Sequence, residues 1–196
     1  MKRLVAILFL ILPAILLGNI VRGGPGERIM GFAPGDTLID TIFVTVRVPA
    51  RIGLYVNGNT EFDLGAVGVV FPPAVYPGYY NPTLVGGTNA DGVNVEVFSN
   101  ASTNWFLQTN GSGNFTATIA LDQLYYAPDG EADPPDGTDP PGGGWTSFTT
   151  TYTTVTTGPK TTGWQSEDQD YIFQAETDDD PTTGSTIVIR YRLYVP

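Results

Sequence analysis

The stretch Ile42 to Val56, IFVTVRVPARIGLYV, constrains the fold more than any other part of the chain. Ile42, Val44, Val46 and Val48 fall on one side of an extended backbone, and Thr41, Phe43, Thr45 and Arg47 on the other. Pro49 cannot donate a ladder bond, and after it a second alternating run places Ile52, Leu54 and Val56 in phase. The C-terminus follows the same design, with Ile187, Ile189, Tyr191, Leu193 and Val195 alternating with Thr186, Val188, Arg190, Arg192 and Tyr194. A period of two belongs to strands and not to helices. These two runs predict an all-β protein in which the first and last long strands are neighbours in one sheet.

The rest of the chain agrees with that class. Val93, Val95 and Val97 alternate, Ser99 to Ser102 reads as a turn, and Trp105 with Leu107 begins the expected partner strand. Phe62 to Gly65 and Val67 to Phe71 read as short strand pieces, Phe115 to Leu121 as an alternating strand, and Leu124 to Ala127 as the close of a hairpin-like unit. Thr149 to Thr157 and Tyr171 to Ala175 complete the set before the last strand. Turn signals stand at Asn57-Gly58, at Asn110 to Gly113 and at Asp178 to Gly184. No segment after the first twenty residues has the Glu, Lys, Leu and Ala content of a long helix. The expectation is a single antiparallel β-sandwich, immunoglobulin-like or jelly-roll, of about nine to eleven strands.

Met1 to Gly18 reads as a signal peptide: Lys2 and Arg3, an apolar run from Leu4 to Leu17, then a small residue. With Pro13 inside it, that run is short for a membrane span. Residues 19–37 form a Gly/Pro-rich tail whose two apolar spots, Ile20-Val21 and Ile29-Met30, could add a strand to a neighbouring subunit. Residues 38–196 form the domain, interrupted by an acidic loop at 128–144.

The chain has no Cys and no His. That excludes disulfides, thiolate metal sites and the Ser-His-Asp arrangement. A net charge of −11, falling to −13 if Lys2 and Arg3 leave with a leader, opposes nucleic acid and anionic lipid as partners. No cofactor is implied, with calcium as the one open case: Asp129, Glu131, Asp133, Asp136 and Asp139 offer a hard cation oxygen ligands. That loop does not match an EF-hand, since Pro134 stands where the turning Gly is needed. Asp178 to Asp180 is a second acidic cluster of the same kind.

Paired carboxylates for glycoside hydrolysis could come from Glu61, Asp63, Asp122, Glu167, Asp168, Asp170 or Glu176, but none lies in a motif, and no enzyme is expected. Tyr76, Tyr79, Tyr80, Trp145 and Trp164 could form an aromatic platform for a glycan, or could pin loops to the core. Sequons at Asn100, Asn110 and Asn114 fall beside predicted turns. Arg47, Arg51, Arg190 and Arg192, four of the seven basic residues left after a leader, lie on or beside the two terminal strands. A basic sheet meeting the acidic loop of another copy would give a head-to-tail array.

The signal, the strand ending Val48-Pro49-Ala50 and the Phe62-Asp63-Leu64-Gly65 piece resemble small exported β-sandwich proteins of the prokaryotic cell surface. Ser99-Asn100 with Trp105, Asp179-Asp180-Pro181 and the ending Tyr191-Arg192-Leu193 carry the same resemblance. Several such families are subunits of pili or threads, in which a terminal strand of one subunit completes the sheet of the next. The absence of Cys departs from chaperone–usher pilins. The resemblance implies an exported sandwich and a fibre subunit, and with the residue pattern the expectation is a secreted, non-catalytic subunit of a cell-surface fibre or envelope layer whose main partner is itself. Ile20, Val21, Ile29, Met30, Arg190 and Arg192 are then its assembly residues. The alternative is a secreted carbohydrate-binding module.

Overall fold

Gly92 to Ser99 and Trp105 to Gly111 alternate so that every second side chain is buried, and the fold is built on these two strands. The computed structural model describes residues 20–22, 37–39, 43–131, 137 and 142–196. The signal segment, Ile29, Met30, Asp133, Asp136 and Asp139 lie outside the described residues. The chain divides between Val48 and Pro49 into two units.

In the first unit, β1 (Ile20–Arg22) pairs in parallel with β2 (Thr37–Ile39). In the second, the strands are β3 (Ile52–Asn57), β4 (Thr60–Glu61), β5 (Gly78–Tyr80), β6 (Leu84–Val85), β7 (Gly92–Ser99) and β8 (Trp105–Gly111). They continue as β9 (Leu124–Pro128), β10 (Thr146–Ser147), β11 (Thr153–Gly158), β12 (Gln165–Ser166), β13 (Gln169–Ala175) and β14 (Ile189–Tyr194). All pairings in this unit are antiparallel.

A larger sheet of seven strands runs β10-β9-β13-β7-β12, with β3 also on β7 and β5 also on β13. β12 and β13 lie in line along β7 in one register, with Gln165 opposite Val97 and Gln169 opposite Val93. A smaller sheet has three strands in the order β11-β8-β14. The small β4–β6 pair stands apart from both.

One apolar cluster joins the two sheets: Val93, Val95, Val97, Leu124, Tyr126 and Tyr171 from the larger, Trp105 and Leu107 from the smaller. Trp105 is fully buried, its Nε1 donates to Pro159 O at 2.7 Å, and its ring occupies the space a Cβ on Gly158 would need. The sheets also meet through a polar contact inside the core, where the hydroxyls of Tyr171 (β13) and Tyr191 (β14) lie 2.6 Å apart. Burial raises both phenol pKa values, so the pair is neutral in the folded protein.

Several expectations are corrected. β3 and β14, the predicted sheet neighbours, belong to different sheets. β7 and β8 are not a hairpin either, because the chain crosses from one sheet to the other between Ser99 and Trp105. Residues 113–119 turn instead of forming a strand: Thr116 Oγ1 accepts from the amides of Thr118 and Ile119, and a 3-10 turn follows at Leu121–Gln123. Asp63 to Ala66 closes a turn, whereas Gly78–Tyr80, although flanked by Pro72, Pro73, Pro77 and Pro82, is a buried strand. Phe43 to Val48, read as part of the best strand, pairs with no strand among the described residues.

Two stability outcomes follow from the core. Tyr191→Phe strands the buried Tyr171 hydroxyl and should cost about 1–3 kcal/mol in urea unfolding, most of it recovered in Tyr171→Phe/Tyr191→Phe. Leu107→Ala should cost about 2–5 kcal/mol, whereas Val46→Ala should stay within about 0.5 kcal/mol in the isolated chain.

Candidate functional site: an open edge and an exposed apolar strand

Burial falls steeply from the inner strands to the outer ones along one side of the two-sheet core. On β7, Val95 and Val97 are fully buried; their cross-strand partners on β3, Val56 and Leu54, are exposed and half-buried. On β8, Leu107 and Thr109 are buried, but their β14 partners Leu193 and Tyr191 are only half-buried. Ile187, Ile189 and Val195 pack on the core in the same incomplete way. β3 and β14 lie near each other across this side, yet each is the last strand of its sheet among the described residues. The opposite side is better closed. There β9 and β10 bring Leu124, Tyr126 and Phe148 under cover, and Phe148 N donates to Leu124 O at 2.8 Å.

The second feature is the chain just before β3. Phe43, Val44, Val46 and Val48 are each at least three-quarters exposed. The chain is fixed where this segment ends: the Asn100 side chain accepts from Arg51 N at 2.5 Å and donates to Pro49 O at 3.1 Å. A run of exposed β-branched residues with no ladder partner among the described residues departs from ordinary surface composition.

The arginines are divided. Arg51 precedes β3 in the larger sheet, while Arg190 and Arg192 are exposed on β14 in the smaller, so no single basic strand pair forms. Arg192 lies flat, with Nε donating to Gln108 Oε1 at 3.1 Å and its guanidinium 4.1 Å from the Tyr152 ring centre.

The five aromatics do not share an exposed surface. Tyr79 and Trp145 are buried with Ala127 and Ile172, and Tyr80 is buried with Ile119 and Phe173, its hydroxyl donating to Val70 O at 3.1 Å. Tyr76 is half-buried beside Pro77 and Glu176. Trp164 alone is exposed, packed over Gly53 and against Phe98 on the larger sheet.

The carboxylates mostly hold backbone. Asp168 accepts from Val95 N at 2.7 Å and from Asn94 Nδ2 at 3.1 Å, replacing a ladder carbonyl between β12 and β13. Asp170, buried, accepts from Asn89 Nδ2 and Gly130 N, each at 3.0 Å, and so ties the start of the acidic loop to β13. Asp179 accepts from Gln123 Nε2 and from Glu176 N. A cleft of about 320 Å³ lies between Asp129, Thr156, Glu167, Asp168 and Gln169. Of the proposed calcium ligands, Asp129 and Glu131 are described. Among the described residues no group of three or more acidic side chains could hold a metal ion. Nor is any helix among them long and apolar enough to cross a membrane. The sequon amides at Asn100, Asn110 and Asn114 are engaged with backbone groups.

Burial raises the Asp170 pKa above the ordinary carboxylate value, against the lowering effect of its hydrogen bonds. A raised folded-state pKa means that the folded chain holds this proton more tightly than the unfolded one. The group's contribution to stability is therefore largest below the unfolded pKa and declines as pH rises through the folded one. Unfolding free energies across the acid range should lose this component in Asp170→Asn, with a shallower decline on raising the pH than in the parent. No protein-family model, curated protein or solved structure matches this chain.

Proposed function

We propose that this chain is an exported, non-catalytic structural protein: a β-sandwich subunit of a cell-surface fibre or envelope layer that joins copies of itself through terminal strand segments. The observation that carries this reading is the run Phe43 to Val48, whose apolar side chains alternate as in a buried strand yet stand in solvent. Fully burying each of Val44, Val46 and Val48 is worth roughly 1.5–3 kcal/mol, a gross gain that can offset part of the cost of association. The signal-like first eighteen residues, the absence of Cys and His and the acidic charge support a location outside the cell. Engagement of Asp168, Asp170 and Asp179 in holding the backbone supports the non-catalytic part of the reading.

Sedimentation velocity and negative-stain microscopy of the purified chain over a wide concentration range test it. The parent should assemble with rising concentration, and Val44→Asp/Val46→Asp should need at least tenfold more protein to do so while keeping the same circular dichroism. A parent that stays monomeric at every concentration would overturn the proposal.

A further inference from the structure

We infer that the cleft where the start of the acidic loop meets the link between β12 and β13 is a cation site, holding calcium through side-chain oxygens of Asp129, Glu167 and Gln169. The inference stands whether or not copies of the chain assemble.

The polar lining of this cleft is Asp129, Thr156, Ser166, Glu167, Asp168 and Gln169, and no lysine or arginine lines it. The group that points to an occupant is the Gln169 amide. Gln169 is 1% exposed and lies two residues before Tyr171 on β13, so its side chain turns to the same inner face. Its Nε2 donates to Glu167 O and to Asp168 O, at 2.9 Å each. Those two carbonyls fix which arm of the amide is nitrogen, because the reversed amide would set oxygen against oxygen. Oε1 is the arm left over, and it has no hydrogen-bond partner among the described residues. A buried acceptor without a partner calls for an explanation, and this one belongs to a residue that lines an acidic cleft.

The carboxylates around it are held in place. Glu167 is half-buried and hydrogen-bonded to Gln165 and Thr156. Asp129 is exposed, and its backbone N donates to Asp168 O at 3.0 Å, which fastens it beside the link. Asp168 uses its own oxygens on Val95 N and Asn94 Nδ2, so it adds charge without being needed as a ligand. Every acceptor here asks for a positive or proton-donating occupant.

Calcium fits this donor set best. No three acidic side chains among the described residues form a metal cage. Calcium does not need one, since it takes carboxylate, amide carbonyl and water oxygens together in irregular six- to eight-fold arrangements. A cleft of about 320 Å³ has room for the ion and several waters, at roughly 30 Å³ each. Magnesium demands a near-ideal octahedron and gives up its water reluctantly, which disfavours a buried amide oxygen as ligand. Zinc prefers the nitrogen and sulfur ligands that a chain without His or Cys cannot offer. A bound ion would clamp Asp129 to the β12–β13 link, beside the Asp170 to Gly130 bond that already ties the loop there.

Isothermal titration of the purified full chain with calcium chloride, and separately with magnesium chloride, tests the site. Calcium should bind saturably with a Kd on the order of 10⁻⁴–10⁻³ M, the range of extracellular modules. Glu167→Gln and Asp129→Asn should each weaken it roughly tenfold or more while keeping the parent's circular dichroism. Asp133→Asn/Asp136→Asn/Asp139→Asn should leave it within about twofold. The side-chain amide signal of Gln169 in a nitrogen-15 spectrum should move through the same titration, which reads the amide without substituting it. No saturable calcium binding, or equal binding of magnesium, would overturn the site, the latter by showing only diffuse charge screening. Affinity lost in the triple variant but kept in Glu167→Gln would overturn it too, by placing the ion in the acidic loop. An unmoved Gln169 signal at calcium saturation would remove Oε1 as a ligand and with it the assignment of this cleft.

Discussion

A sheet can bury one face only as far as another layer extends over it, and here the two layers are unequal. The inner strands β7 and β8 carry the deepest apolar positions, Val95, Val97, Trp105 and Leu107. Cover is nearly complete there because each has a strand on both sides. Moving outward to β3 and β14, the same alternation continues in sequence, but the cover does not. The half-buried state of Leu54, Tyr191 and Leu193 follows from their edge positions, not from their side-chain types.

Polar contacts set how that layered core is held in register. The Tyr171–Tyr191 hydroxyl pair fixes β13 against β14 at one point where a purely apolar contact would permit sliding. Asp168 and Asp170 do related work along the larger sheet. The first supplies an acceptor to Val95 N, and the second binds Asn89 and Gly130. Removing such an acceptor leaves a buried donor unpaired, which costs more than the bond itself contributes. Residues chosen by type as catalytic candidates therefore have a mechanical use in this fold.

The all-β class and most strand positions were legible because a period of two is written locally, in Val93 to Val97 or Ile189 to Leu193. Sheet membership was not legible, since alternation says which face a residue takes and nothing about which strand lies beside it. That is why β3 and β14, alike in pattern, could be read as neighbours though they lie in different sheets. Phe115 to Leu121 shows a second limit. Its alternation is as regular as that of β7, but the Thr116 hydroxyl captures the amides of Thr118 and Ile119 and turns the chain. The aromatic loop shows a third: Tyr79 and Tyr80 sit among prolines that suggest a surface loop, yet both rings complete the core beside β13. The open side could have been anticipated only from the arginines of β14, whose charge keeps an unpaired edge from indiscriminate pairing.

Phe43 to Val48 ties these limits to the proposed role. Read alone, the segment satisfies every local requirement of a core strand, and Pro49 merely interrupts it. Among the described residues it has no ladder partner. Local pattern and tertiary environment conflict within one copy, and such conflicts are expected where a chain is built for something beyond its own folding. The proposed pairing between copies would give the alternating residues a partner that one copy does not supply among its described residues. A single glycan-binding copy would leave the conflict unresolved, which is the physical reason for placing self-assembly ahead of it.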